Sequence, residues 1–89
     1  MKNALAITIQ GNVQGVGFRF SAVHKAQELD IKGFVKNQPD ATVYIEAEGE
    51  PERLNEFVSW CWQGPPAARV EHVTKQEIPV QDRTRFGVK

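Results

Sequence analysis

Three glycines within the run Gly11-Asn12-Val13-Gln14-Gly15-Val16-Gly17-Phe18-Arg19 limit what this chain can fold into more than any other stretch. Before the run, Leu5, Ile7 and Ile9 alternate with Thr8 and Gln10, the two-residue period of a strand with one buried face. After it, Phe18, Ala22, Ala26 and Leu29 recur at helical spacing, while Lys25, Gln27 and Glu28 fall on the wet side. A strand therefore has to pass into a helix through a glycine loop. Glycines let successive backbone N–H groups converge, and the free amides and dipole of a helix start add partial positive charge. Arg19 falls in the first helical turn, where its planar guanidinium can form two parallel charge-assisted hydrogen bonds to an oxyanion held by the loop. An isolated arginine there would read as a surface residue. Loop and arginine together read as a phosphate site. The spacing is neither a Walker loop nor G-x-G-x-x-G.

The rest of the chain predicts strand 4–10, loop 11–18, helix 19–30, strand 33–38, strand 42–49, helix 51–62, strand 69–78 and a short strand 84–88. Pro51 suits the first turn of the second helix, and Gly64-Pro65-Pro66 stops it. Leu54, Phe57, Val58 and Cys61 form its apolar stripe. Trp60 and Trp62 cannot both be buried on one helix face, so one is expected against the sheet edge. Val43, Ile45 and Ala47 alternate cleanly. Val70 and Val73 break alternation, which predicts a bulge near Glu71 and His72. Two βαβ-like halves around a hairpin give βαββαβ, the ferredoxin-like α+β arrangement, with both helices on one face of an antiparallel sheet. Residues 1–89 leave room for one domain and no second core.

Charge and composition exclude several classes. Eleven basic and eleven acidic side chains cancel, which argues against nucleic acid as the main partner. Cys61 is the only cysteine, so no internal disulfide can form, as in a reducing compartment. Polar residues interrupt the N-terminal region too early for a signal peptide, and no apolar run approaches the roughly 18 residues of a membrane span. A cytoplasmic monomer is the expectation. Two histidines and one cysteine, far apart, make a metal site improbable. His24 lies about 140° round the helix from Arg19 and is expected at the surface, as is His72.

The string Val13-Gln14-Gly15-Val16-Gly17-Phe18-Arg19 closely resembles the signature of the acylphosphatase family. The likeness continues in Gly33-Phe34-Val35-Lys36-Asn37, which looks like that family's second strand. It extends through Trp60-Cys61-Trp62-Gln63-Gly64-Pro65-Pro66-Ala67-Ala68-Arg69-Val70, similar to the family's helix end, Gly-Pro turn and next strand. By its place alone, Asn37 reads as the start of the turn Gln38-Pro39-Asp40-Ala41. The resemblance instead implies that Asn37 holds an attacking water. It also implies a phosphate cradle made by the amides of Gln14, Gly15, Val16, Gly17, Phe18 and Arg19. Asp40 is expected to fix the turn. Two departures stand out. The family usually has Asp-Gly where this chain has Asp40-Ala41, which suggests a strained positive φ at Ala41. The family also favours glycine where Asp30 stands, a milder change because aspartate enters the left-handed region.

The implied activity is hydrolysis of an acyl phosphate to carboxylate and inorganic phosphate, which is then a product inhibitor. The leaving carboxylate, with a conjugate-acid pKa of about 4, needs no general acid. Positioning and charge neutralisation suffice for the phosphoryl group, and no cofactor or metal is implied. Two rivals are a non-catalytic phosphate- or acyl-phosphate-binding module and an RNA-recognition domain of the same strand order. The second would need exposed aromatics and basic residues on its central strands, where Val43-Tyr44-Ile45-Glu46-Ala47 offers one tyrosine and an acid.

Overall fold

The computed structural model describes residues 1–89, in the order β1 (Asn3–Asn12), α1 (Phe18–Glu28), β2 (Lys32–Asn37), β3 (Val43–Gly49), α2 (Pro51–Gln63), β4 (Arg69–Ile78) and β5 (Phe86–Val88). Every expected element is present, with its ends displaced by no more than two residues. The strands form one sheet in the order β4-β1-β3-β2-β5.

Register decides which residues share a face. Ile7 lies opposite Ile45, Ile9 opposite Val43, and Val35 opposite Ile45. That face is covered by Phe18, Ala22 and Ala26 of α1 and by Leu54, Phe57, Val58 and Cys61 of α2, all buried. Burying each large side chain contributes about 1.5–3 kcal/mol. Cys61 is part of this core, and burial pushes its thiol pKa up, so it is an inert apolar group rather than a nucleophile. Trp60 is half-buried against Phe18 and Phe57, while Trp62 stays exposed and meets His72 on the edge strand β4 edge-on. His24 is exposed.

Four strands pair antiparallel, but β5 runs parallel to β2 and makes the sheet mixed. The cause is the path of residues 79–85. β4 ends beside Ala4, at the end of the sheet where β2 begins. A segment that crosses this end to the far edge enters β5 in the direction of β2, and Gly33 N–H donates to the Arg85 carbonyl at 2.9 Å. The crossing is fastened by Glu48, whose buried carboxylate accepts the backbone N–H groups of Gln81 and Arg83. Arg83 pairs with Glu46 at 2.8 Å, and Lys2 with Asp82 at 2.9 Å.

Two local features match their expectations. Gln10 faces His72 while Gly11 faces Val70, so Glu71 is the extra residue of a β-bulge that bends the strand pair just before the glycine loop. At the end of α1, Asp30 adopts φ 56°, with its N–H donating to Gln27 O and that of Ile31 to Ala26 O. This is the Schellman arrangement with aspartate in the place usually held by glycine.

Candidate active site

The loop between β1 and α1 is clamped at both ends and open in the middle. Val13 and Phe18 are buried, the Phe18 ring lying 5.3 Å from that of Trp60. Gly15 and Gly17 are exposed and take φ of 73° and 83°, with Val16 between them at negative φ. This alternation turns successive N–H groups toward one side. Gly17 caps α1, its carbonyl accepting Ser21 N–H at 3.0 Å. None of the N–H groups from Gln14 to Arg19 donates to an acceptor within the protein. Six amides and the start of α1 are thus left without an internal acceptor, the composition of an anion site.

Arg19 extends from the first turn of α1 and makes neither an ion pair nor a hydrogen bond within the protein. Arg83, by contrast, is held by Glu46, and Arg53 donates to the Leu29 carbonyl. Asn37 ends β2 opposite Val43, on the helix-covered face two residues beyond Val35. The pleat therefore points it toward the α1 side of the sheet. Its amide forms no hydrogen bond to the protein, and its Oδ1 is buried without a donor. The carboxamide of Asn37 therefore has its hydrogen-bonding capacity free for a group in the space beside it.

Gly15, Gly17, Arg19 and Asn37 line one open cleft of about 330 Å³, whose other walls are Val13, Phe18, Phe20 and Val88. Gln14 and Val16 do not line it. Val16 leans on the core. The Gln14 side chain turns away and donates through Nε2 to the Gln38 and Thr42 carbonyls, at 2.8 and 2.9 Å. It thereby ties the loop to the β2–β3 hairpin that carries Asn37. The hairpin is a Gln38–Ala41 turn whose last residue, Ala41, takes φ 75°, closed by Ala41 N–H to Gln38 O and Gln38 N–H to Thr42 O. Asp40 accepts the Thr42 hydroxyl at 2.6 Å and its N–H at 3.1 Å, and these bonds hold its pKa below the ordinary carboxylate value. Asp40 is a turn residue, as expected.

Sequence reasoning missed the Gln14 brace and the walls Phe20 and Val88. Phe20 carried a signal, being an aromatic off the apolar stripe and next to the loop arginine. The Gln14 brace carried none, because its acceptors lie far along the chain.

Comparison with known proteins shows the family and the fold. A family model described as Acylphosphatase matches residues 5–88. The chain is 47% identical over 85 residues to an acylphosphatase of Archaeoglobus fulgidus, covering 96% of each protein. Among solved structures, an acylphosphatase from Coxiella burnetii superposes with a TM-score of 0.96 at 40% identity, covering 99% of this chain and 93% of that one. The acylphosphatase from Bacillus subtilis gives 0.95 at 33% identity, covering 100% and 99%.

Proposed function

Because the chain belongs to the acylphosphatase family, we propose that residues 1–89 form one such domain, in which Arg19, Asn37 and the glycine loop hydrolyse acyl phosphates. The observation that carries this reading is the convergence on one cleft of an unpaired arginine, the loop glycines and an asparagine with no internal partner.

In this reading the amides of the loop residues that line the cleft, Gly15, Gly17, Phe18 and Arg19, cradle the phosphoryl oxygens. The Arg19 guanidinium adds a full positive charge where negative charge accumulates. The Asn37 carboxamide holds a water against phosphorus. The water oxygen forms the new P–O bond as the P–O bond to the acyl group breaks, and the electron pair of that bond departs on the carboxylate. The water's proton passes to an oxygen of the phosphoryl group itself, so no side chain need serve as base. The products are a carboxylate and inorganic phosphate. Catalysis of this type rests on positioning and electrostatics. The lone buried thiol Cys61 supports a reducing, cytoplasmic setting.

The roles of the two residues separate kinetically. Arg19 touches the phosphoryl group in ground and transition states alike, so Arg19→Ala is expected to abolish turnover and inhibition by inorganic phosphate together. Asn37 acts on the water alone, so Asn37→Ala is expected to lower kcat by roughly 10²-fold, on the scale of losing one aligned transition-state hydrogen bond. Its KM and phosphate inhibition should stay near wild type. Steady-state kinetics on an acyl phosphate, with circular dichroism to verify folding, tests both. Wild-type kcat in Asn37→Ala would refute the water-holding role.

A further inference from the structure

Part of the cleft is not explained by phosphate. The amides, Arg19 and Asn37 account for the phosphoryl group and the water, yet Phe20 and Val88 line the same cleft. Both are large apolar side chains left mostly in water, 71% and 53% exposed. Single exposed hydrophobic residues are ordinary on a protein surface. These two come from different elements, flank one cleft, and are each set on a rigid support. Phe20 directly follows Arg19 in the first turn of α1, and its ring is met edge-on by His24 one turn later, with centroids 4.6 Å apart. Val88 lies opposite Val35 in the β2–β5 ladder, on the same face as Asn37.

An acyl phosphate has a polar end for the cradle and an acyl group joined to it through one bridging oxygen. Once the phosphoryl group is seated, the acyl group is the part left to meet the remaining walls. We propose that Phe20 and Val88 form the acyl-group subsite of the cleft and favour substrates whose acyl group is aromatic or bulky and apolar. This rests on acyl phosphate hydrolysis at the Arg19–Asn37 cleft. The selectivity arises because such a group displaces water from both exposed side chains, whereas a small or charged acyl group does not.

The test compares kcat/KM for benzoyl phosphate and acetyl phosphate in the wild type, Phe20→Ala and Val88→Thr, with inorganic phosphate as inhibitor. Both positions are exposed and both variants are expected to fold, which circular dichroism verifies. The benzoyl-to-acetyl ratio is expected to fall about tenfold in Phe20→Ala and roughly threefold in Val88→Thr, the scale of lost apolar contact in a pocket. Phosphate inhibition should be retained, since the cradle is untouched. A ratio unchanged in both variants overturns the subsite and leaves the hydrolytic reading standing. A wild type that hydrolyses neither compound overturns that reading and the subsite with it.

Discussion

At Ala41 an L-residue with a Cβ holds φ at 75°, in the turn position where glycine normally supplies the left-handed backbone. The left-handed region costs alanine about 1–2 kcal/mol, while glycine's extra freedom in the unfolded chain costs about 0.5–1 kcal/mol. Ala41→Gly is therefore expected to stabilise the protein by up to about 1 kcal/mol in a urea titration. Destabilisation would show that the turn is not strained. Asp30 and Asp82 also have positive φ, but aspartate tolerates that region. At this scale the site was partly legible. Arg19 and the glycines could be read because loop, helix start and arginine are adjacent in sequence. Asn37 could not be read from its surroundings alone, because a strand-end asparagine leading into Gln38-Pro39-Asp40 serves equally well as a turn former. Only its similarity to a known pattern separated the two.

Between elements, the joint that matters most for the cleft is Gln14. Its Nε2 donates to two carbonyls of the β2–β3 hairpin, so the loop that carries the amides is tied to the strand end that carries Asn37. Each carbonyl keeps a second donor from the backbone, Ala41 N–H on Gln38 and Gln38 N–H on Thr42. Removing the side chain thus forfeits two bonds without orphaning either acceptor, a loss of about 1–2 kcal/mol. Gln14→Ala is expected to show that loss in urea and to weaken phosphate inhibition. Gln14→Glu is expected to be worse, since a carboxylate cannot donate to a carbonyl. Nothing local in the sequence announces this brace, because the pairing exists only once β1 and β3 lie side by side. The helices and β4 were legible for the opposite reason: their periodicity, Pro51 and the Gly64-Pro65 stop are all local signals. The parallel β5 was not, because its direction follows from where β4 ends relative to β2.

Across the whole molecule, the sheet face away from the helices carries a polar chain that fastens the 79–85 crossing. The Tyr44 hydroxyl donates to Glu46 at 2.7 Å, Glu46 accepts Arg83 at 2.8 Å, and the Arg83 guanidinium lies over the Phe34 ring at 5.0 Å. Burial first, and then the Glu46 carboxylate, push the Tyr44 pKa from 10.0 up to about 12. A pKa raised by folding stabilises the protein fully below the unfolded value, and that contribution fades as pH rises from about 10 toward 12. The urea midpoint is expected to fall across that interval, and Tyr44→Phe to flatten the fall; an equal slope in the variant would remove Tyr44 as its cause. The central position of β1 has a consequence in time as well as in space. Its partners β3 and β4 both arrive from far along the chain. The glycine loop meets the end of β2 only after the β1–β3 and β2–β3 ladders have both closed. Pairings this distant place refolding on a scale of milliseconds to seconds, and no fragment that ends before β3 can assemble the cleft. Refolding followed by Trp60, which reports on Phe18 and Phe57, and by regained acyl phosphate turnover should then give a single rate. The catalyst would appear at the moment the sheet does.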